Sequence, residues 1–234
     1  MQSPLVIAHR GDSSRGLENS LEAFRLALDI PVDLIEFDLR MSRDGGLYVL
    51  HDRRTGRTAD RNIDLERSPS REIAGVRLTN GEPLPRLDEV LRLVTGRAGV
   101  NIEIKSDGAG SALARRLREQ AWEGTLLVSS FKEAEAASFR TALPDVPVGL
   151  IFDAFSLRHV AGYQARGYPF ISLRKNTVTE PLVAALHSRG IKVFVWTVDE
   201  EGVMKRCIDW QADGIYTNRP LLLKSTIEKI NEKK

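Results

Sequence analysis

Two strand-like runs of this chain each place acidic side chains on one face. In Asp33–Leu39, the alternation of a strand sets Glu36 and Asp38 opposite the apolar residues of the same run. In a second run, Glu103 shares its face with Lys105. Because a carboxylate buried in a strand is costly unless a cation compensates it, we predict that Glu36, Asp38 and Glu103 hold a divalent metal ion.

Oxygen donors without cysteine or clustered histidine favour Mg²⁺ or Ca²⁺ over zinc. The predicted cofactor is therefore a divalent metal, Mg²⁺ or Ca²⁺, and the pattern of residues leaves the choice between them open. The alternative is an ion-pair network in which Lys105 joins Glu103 to Glu36 without a metal. The metal interpretation is favoured because all three acids fall at the same predicted end of neighbouring strands.

Two histidines flank the first acidic run, and imidazole has an ordinary pKa that suits proton transfer near neutral pH. His9 ends the first predicted strand. His51 ends a return strand, Leu47–His51, which follows the strong hairpin-turn signal Asp44-Gly45. The hairpin brings His51 back beside the acids, so both histidines are candidate acid or base groups. A lone histidine such as His9 can also simply bond within the rim of the core.

Three further side chains are candidates for contact with a substrate. Arg10 follows His9, and its planar fork can hold a phosphate or carboxylate in a bidentate manner. Lys105 can contact either kind of anion. Trp196 ends the seventh predicted strand, where it lines the substrate pocket or belongs to the barrel core, and the pattern alone favours neither. The remaining histidines, His159 and His187, fall in helical segments and are predicted to be structural.

The elements that must position these residues alternate between short apolar runs and longer amphipathic segments, which predicts βαβ units and a parallel sheet. Eight repeats favour closure into an α/β fold of the (β/α)8 TIM barrel type, and no GxGxxG turn follows the first strand to favour an open sheet. The predicted strands are Leu5–His9, Asp33–Leu39, Val100–Lys105, Leu126–Ser130, Val148–Phe152, Phe170–Leu173, Lys192–Trp196 and Gly214–Thr217. The predicted helices are Glu18–Asp29, Arg86–Thr95, Gly110–Trp122, Lys132–Ala142, Leu157–Arg166, Thr179–Arg189 and Glu200–Trp210.

Two stretches interrupt this alternation. The return strand that ends at His51 is predicted to be an antiparallel β-hairpin addition after the second strand. Residues 53–85 are polar and follow a strand end, which predicts a loop insertion at the barrel mouth. The C-terminal segment Thr226–Lys234 is predicted to be a helix that frays. Because there is no internal repeat and no linker, we predict that residues 1–234 form a single TIM-barrel domain.

Composition excludes several classes of partner. A formal net charge of +2, with scattered Lys and Arg, argues against nucleic acid. No apolar run approaches the ~20 residues of a membrane span, and the N-terminus lacks a signal-peptide pattern. The single cysteine, Cys207, suits a reducing compartment. We therefore expect a cytoplasmic protein without stable membrane insertion, and the oligomeric state is left open.

Short motifs, spaced along this sequence, match those of one known family in the same order, from about residue 5 to residue 220. These motifs are His9-Arg10-Gly11, Leu17-Glu18-Asn19-Ser20, Asp33-Leu34-Ile35-Glu36-Phe37-Asp38, Asp44-Gly45, His51-Asp52, Leu84-Pro85-Arg86-Leu87-Asp88-Glu89-Val90-Leu91, Ile102-Glu103-Ile104-Lys105, Ser130-Phe131 and Val195-Trp196-Thr197-Val198. With them the chain resembles the glycerophosphodiester phosphodiesterases. The resemblance implies a phosphodiesterase/phospholipase-C-like TIM barrel.

The same resemblance implies hydrolysis of a small-molecule glycerophosphodiester, such as glycerophosphocholine or glycerophosphoethanolamine, to sn-glycerol 3-phosphate and an alcohol. That reaction belongs to lipid and glycerol metabolism. The implied roles are a general acid-base pair, divalent-metal ligands and phosphate contacts. The acid-base pair corresponds to His9 and His51. The metal ligands correspond to Glu36, Asp38 and Glu103, and the phosphate contacts to Arg10 and Lys105.

The match has three departures. Leu17 stands where the family usually has Pro, Ser20 where it usually has Thr, and Asn218 where it usually has Asp. The last departure removes a negative charge near a strand end. The attacking oxygen, the headgroup preference and two rivals stay open: a related lysophospholipase activity, and a non-catalytic phosphate- or metabolite-binding barrel.

Overall fold

The structure is a computed structural model that describes residues 3–119 and 122–232. Within these residues, eight parallel strands close into a barrel, because β1 pairs with both β2 and β9. A ninth strand, β3, pairs antiparallel with β2 and lies outside the ring. The strands are β1 Leu5–His9, β2 Leu34–Met41, β3 Leu47–Val49, β4 Gly99–Ile104, β5 Leu126–Ser130, β6 Val148–Phe152, β7 Phe170–Arg174, β8 Lys192–Trp196 and β9 Gly214–Thr217. The predicted (β/α)8 barrel with its hairpin addition is confirmed.

Helices follow the barrel strands and cover the outside of the ring. They are α1 Leu21–Leu28, α2 Ser70–Ile73, α3 Leu87–Val94, α4 Ala109–Glu119, α5 Glu133–Ala142, α6 Val160–Ala165, α7 Glu180–His187, α8 Glu201–Asp209 and α9 Pro220–Asn231. The C-terminal helix α9 begins six residues before the predicted start, and its last predicted residues, 233 and 234, lie outside the described part. The prediction that α4 reaches Trp122 crosses residues 120 and 121, which also lie outside it.

Alternate residues of each strand pack in two separate layers. Outward side chains such as Phe37 pack against the helices, and the Phe24 and Phe37 ring centroids are 6.0 Å apart. Inward apolar side chains fill the N-terminal half of the barrel, where Phe170 and Phe194 stack at 5.1 Å. Gly149 makes room for them, since a Cβ there would lie 2.2 Å from the Phe170 ring. Polar inward side chains line the cavity beyond this apolar layer.

Residues 53–85 form a small separate hydrophobic cluster together with β3 and Leu50. Tyr48, Leu50, Leu65, Ile73, Val76 and Leu78 are among its buried members. Two 3-10 turns, Thr55–Arg57 and Leu65–Arg67, precede the short helix α2. The apolar residues of this cluster are irregularly spaced, so neither a helix nor a strand period marked them in the sequence.

A buried carboxylate joins α5 to the start of α4. The Glu135 carboxylate accepts hydrogen bonds from the backbone N–H groups of Gly108 and Gly110, each at 2.8 Å. A Cβ at Gly110 would lie 2.5 Å from the Glu135 carbonyl oxygen, so the close approach of the two helices requires glycine there. The carboxylate also opposes the positive end of the α4 dipole.

We expect Glu135→Ala to lower the free energy of unfolding by about 2–4 kcal/mol, because it leaves two amide donors without their acceptor. Urea denaturation measures the loss. The matched control is Glu133→Ala in the same helix, which removes only an exposed ion pair to Arg166 and is expected to cost less than about 1 kcal/mol. Equal losses in the two variants would contradict this role for Glu135.

In the described residues, no helix is both long enough and apolar enough to cross a lipid bilayer.

Candidate functional site

A cavity of about 190 Å³ opens at the C-terminal ends of the barrel strands. Every predicted site residue except Asp38 lines it, and Asp38 is fully buried in contact with two of the lining residues. The predicted residues in its wall are His9, Arg10, Glu36, His51, Glu103, Lys105 and Trp196. Chain elements that are far apart in sequence therefore bring the predicted site together in one place.

Strand register brings the three acids together. Asp38 of β2 lies opposite Glu103 of β4, and Glu36 precedes Asp38 by two residues on the same face. One carboxylate oxygen from each lies within 4.8 Å of those of the other two. All three side chains are buried. The three acids are therefore grouped as the sequence predicted, in an arrangement that could hold a metal ion.

The acids differ in their protonation because their neighbours differ. Burial, together with repulsion from Asp38 and Glu103, holds the pKa of Glu36 well above its ordinary value. Burial and the Asp38 charge raise the pKa of Glu103 to about 7. Burial alone would also raise the pKa of Asp38, but Lys105 and Arg10 hold it below its usual range. Without a bound cation, the cluster therefore resists carrying three negative charges.

The contacts within the cluster test whether a metal fits. Lys105 Nζ lies 2.5 Å from Glu103 Oε1 and 3.2 Å from Asp38 Oδ1, so the alternative ion-pair network exists in part, with Asp38 in place of Glu36. Arg10 Nε lies 3.1 Å from Asp38 Oδ2. Glu36 Oε1, however, is buried and has no hydrogen-bond partner among the described residues. An unpartnered carboxylate oxygen between two other acids fits a divalent cation that prefers oxygen ligands.

The loop after β1 holds Arg10 in place through its backbone. Arg10 has φ +57°, a left-handed conformation that costs roughly 1–2 kcal/mol for a residue with a side chain. Its N–H donates to Glu36 Oε2 at 2.9 Å, and its guanidinium bonds Glu18 Oε1 at 2.9 Å. Gly11 follows at φ +84°, and a Cβ there would lie 2.6 Å from the Ala23 backbone. The His-Arg-Gly motif thus forms a turn that places the Arg10 guanidinium beside the acids.

Each candidate imidazole has an oxygen partner on Nδ1. His9 Nδ1 lies 2.8 Å from Asn218 Oδ1, and His51 Nδ1 lies 2.7 Å from Asp52 Oδ1. The two side chains of this second pair are neighbours in sequence and can meet because β3 ends at Val49, so they do not alternate across a strand. Burial and the neighbouring Arg10 lower the pKa of His9 to about 4. Burial also lowers the pKa of His51, against the opposing pull of Asp38. Both rings are therefore uncharged near neutral pH.

Arg40, which sequence reasoning did not single out, holds the backbone at His51. Its Nε and Nη2 atoms donate to the His51 carbonyl oxygen at 2.8 and 2.6 Å, and its Nη1 lies 2.7 Å from Glu66 Oε1. Arg40 shares the face of Glu36 and Asp38 on β2. The sequence pattern that could have identified Arg40 is the strand alternation that identified the acids, since residues 36, 38 and 40 point to the same face of β2.

We expect Arg40→Met to lower kcat by roughly 10- to 100-fold, because small misplacements of a reacting group have costs of that order. Steady-state hydrolysis of a glycerophosphodiester, the substrate class that the family resemblance implies, measures the change. Arg43→Met, an exposed position in the same hairpin, is the control and should keep the wild-type rate. An Arg40 variant with unchanged kcat would show that this contact does not position His51.

Aromatic side chains cover one side of the cavity. Trp196 is partly buried, lines the cavity and meets the Phe131 ring edge-on with centroids 5.6 Å apart. Phe131 is 44% exposed, and Lys105 Nζ lies 5.6 Å from its ring centroid. Trp196 therefore lies at both of the positions considered, since it lines the cavity and also packs against the inward core of the barrel. An apolar wall beside two cations suits a molecule with a hydrocarbon part and an anionic part.

The remaining histidines lie apart from this cavity. His187 ends α7 and bonds Asp213 Oδ2 at 2.8 Å, in a separate recess with Leu5 and Phe194. His159 is exposed at the start of α6. Both occupy helical segments, as the sequence predicted.

Comparison with known proteins gives one consistent result. The model of the Glycerophosphoryl diester phosphodiesterase family matches residues 9–222. A glycerophosphodiester phosphodiesterase of Caldanaerobacter subterraneus subsp. tengcongensis is 32% identical over 240 residues, which cover 96% of this chain and 98% of that protein. One from Bacillus altitudinis is 29% identical over 233 residues, which cover 92% of this chain and 94% of that protein.

Among solved structures, an Oleispira antarctica phosphodiesterase in complex with the product sn-glycerol-3-phosphate has a TM-score of 0.89 and 22% identity, with 97% of each chain covered. A putative glycerophosphoryl diester phosphodiesterase from Silicibacter pomeroyi has a TM-score of 0.89 and 23% identity, with 99% of this chain and 95% of that chain covered. At these identities the structural likeness concerns the fold, whereas the family match extends over nearly the whole chain. The chain therefore belongs to the glycerophosphoryl diester phosphodiesterase family and is a phosphoric diester hydrolase.

Proposed function

We propose that this enzyme hydrolyses glycerophosphodiesters, such as glycerophosphocholine or glycerophosphoethanolamine, to sn-glycerol 3-phosphate and an alcohol. The reaction depends on a divalent metal, and His9 and His51 act as its general acid-base pair. One observation carries the proposal: two imidazoles, Arg10 and Lys105 line a single cavity together with two acids of a buried cluster of three. The Oleispira antarctica relative, which binds sn-glycerol-3-phosphate, supports the identity of the product.

A phosphodiester carries a negative charge that repels an attacking oxygen, so the site must neutralise it. Arg10 and Lys105 line the cavity with their cationic groups and are themselves held by Asp38. We assign both to the phosphoryl oxygens. Trp196 and Phe131 form the apolar wall and are assigned to the carbon atoms of the substrate.

Glu36, Asp38 and Glu103 would hold Mg²⁺ or Ca²⁺. When bound, the cation supplies Lewis-acid polarisation of the phosphoryl group. The acids themselves also orient the neighbouring groups. The Glu36 carboxylate fixes the Arg10 backbone, and Asp38 accepts a hydrogen bond from Asn19 Nδ2 at 2.8 Å.

The two imidazoles receive different roles from their partners. The Asp52 carboxylate raises the pKa of His51 against the effect of burial, and the negative charge of a bound phosphodiester raises it further, so we assign His51 as the general acid that protonates the leaving alcohol. His9 has a neutral amide partner and a pKa lowered by burial, so it is the general base that takes a proton from the attacking oxygen. Such transfers contribute about 10²–10⁴-fold each. The attacking oxygen belongs to water, or to a neighbouring substrate hydroxyl with a transient cyclic phosphate that ³¹P NMR would detect.

The test measures both products of phosphodiester cleavage in a small panel of diesters: the free alcohol, and the phosphate monoester, which is glycerol 3-phosphate or, from lysophosphatidylcholine, its acylated form. The panel contains glycerophosphocholine, glycerophosphoethanolamine and lysophosphatidylcholine, each assayed with chelator and then with Mg²⁺ or Ca²⁺ restored. We expect turnover of the first two, its loss with chelator and its recovery with one cation. Preference for lysophosphatidylcholine would favour the lysophospholipase rival. Binding of these diesters without turnover under any condition would favour a non-catalytic binding barrel.

A further inference from the structure

A chain of hydrogen bonds runs from His9 to a carboxylate that does not touch the cavity. His9 Nδ1 lies 2.8 Å from Asn218 Oδ1, and Asn218 Nδ2 donates to Asp199 Oδ2 at 2.7 Å. Asp199 follows β8 and Asn218 follows β9, so the chain links the ends of three neighbouring strands. No part of the catalytic scheme above uses Asp199.

Asp199 makes its contacts only as an acceptor. Its Oδ1 accepts the Asn218 backbone N–H at 2.8 Å and the Thr217 hydroxyl at 3.1 Å, while its Oδ2 accepts the Asn218 amide. An ionised carboxylate has no hydrogen to donate. The NH₂ group of Asn218 must therefore point toward Asp199, and the amide oxygen must point toward His9.

The direction of the amide then decides the state of the imidazole. The Asn218 oxygen accepts, so the proton of the neutral His9 ring must be on Nδ1, and Nε2 keeps its lone pair. The Ser13 hydroxyl, 2.8 Å from the same oxygen and 3.0 Å from the His9 carbonyl, further restrains the pair. A histidine that must take up a proton at Nε2 needs this tautomer.

We propose that Asp199 and Asn218 are positioning residues that fix His9 in the Nδ1–H tautomer, with Nε2 bare. The inference deepens the proposed function, since it rests on His9 acting as a base. It also gives Asn218 a role. The negative charge that the family usually carries at this position is supplied one residue further along the chain of hydrogen bonds, by Asp199. A neutral amide thus contacts His9, in contrast to the direct contact of His51 with Asp52.

Two single variants and their combination test the direction of the amide. Asp199→Asn removes the acceptor-only group, which lets the Asn218 amide turn and offer NH₂ to His9. Asn218→Asp places two carboxylates within hydrogen-bond distance of each other. The double variant Asp199→Asn/Asn218→Asp restores a complementary pair, because the amide of residue 199 donates to a carboxylate at 218 that still accepts from His9 Nδ1.

We expect each single variant to lower kcat by roughly 10- to 100-fold with a small change in KM. The double variant should recover to within about 3-fold of wild type, since directly coupled residues are not additive. The second readout is the ¹⁵N NMR spectrum of the ring nitrogens in the metal-free enzyme, with the His9 signals assigned by their loss in His9→Gln. Wild type and double variant should show protonated Nδ1 and bare Nε2, and Asp199→Asn should lose that pattern.

Asn80→Asp is the matched control, because Asn80 Nδ2 donates to the Glu22 carboxylate at 2.9 Å on the exposed surface. It should leave both readouts unchanged. A wild-type spectrum with the proton on Nε2 would overturn the proposal, as would a double variant no better than the single ones. If no diester is turned over but the expected tautomer is present, the proposed function fails while the hydrogen-bond chain stands.

Discussion

Replacing His9 or His51 with alanine is expected to lower kcat for glycerophosphodiester hydrolysis by about 10²–10⁴-fold each. Each ring lines the cavity and has one nitrogen held by an oxygen partner, which leaves the other nitrogen for the reacting atoms. Alanine removes the proposed proton-transfer group and leaves Arg10 and Lys105, the proposed phosphate contacts, in place. The loss should therefore fall mainly on kcat rather than on KM.

A matched variant separates loss of chemistry from loss of fold. His159 is exposed at the start of α6, and His159→Ala should keep the wild-type rate and the wild-type circular dichroism spectrum. The His9 and His51 variants should keep that spectrum too. Near-wild-type turnover by either of them would defeat the acid-base assignment.

The division of labour between the two imidazoles has its own test. An aryl glycerophosphodiester with a nitrophenol leaving group needs little help from a general acid, because its leaving oxygen is already stable as an anion. His51→Ala should therefore lose much less activity on this diester than on glycerophosphocholine. His9→Ala should lose about the same on both. The opposite pattern would exchange the two roles.

How far the sequence predicts this molecule depends on the range of the interaction. The barrel strands follow from alternation, since inward and outward residues of one strand differ in polarity over a few positions. The position of His51 followed from the turn at Asp44-Gly45, which fixes a local hairpin register. The acids could be paired because β2 and β4 are neighbours in the ring and their polar residues occur at matching heights.

The features that could not be predicted from the sequence are mainly contacts and conformations of the loops that follow the strands. The contact between Asn218 and His9 joins residues 209 positions apart, and the sequence around either residue alone does not predict it. The left-handed Arg10 also had no local signal beyond the glycine that follows it. The hydrophobic cluster in residues 53–85 was hidden by its polar composition, and its apolar residues obey no period. Such contacts depend on how loops are brought together once the barrel has closed.

The second large effect concerns the stability of the acidic cluster itself. We expect Glu36→Gln to lower hydrolysis by more than about 100-fold, a loss typical of disturbing a metal site. The metal-free protein should meanwhile keep its stability or gain some. The amide oxygen of glutamine can still accept the Arg10 N–H bond, and its NH₂ can donate to the nearby Asp38 or Glu103 carboxylates. On the proposed function, the substitution thus removes a negative charge that becomes favourable only when a cation is bound.

The pH dependence of stability should also favour the metal-free Glu36→Gln variant over the metal-free wild type. Burial and repulsion raise the pKa of Glu36 in the folded protein above its unfolded value. The folded state therefore binds the proton more tightly, and the stability that this group contributes is lost as pH rises from about 4 toward the raised pKa. Glu36→Gln cannot titrate. Without metal, its melting temperature should exceed that of wild type by a margin that grows with pH over this range.

Adding Mg²⁺ or Ca²⁺ should reverse the order of the two proteins. A cation at 100 times its Kd stabilises a folded protein by about 2.7 kcal/mol, and the variant should gain much less because one ligand is gone. Glu135→Gln is the control: the same buried exchange replaces a carboxylate that two backbone N–H groups require, so it should destabilise with or without cation. If Glu36→Gln melts below wild type without metal, or gains as much from the cation, Glu36 is a structural acid. The dication site would then have to be sought elsewhere in the cavity.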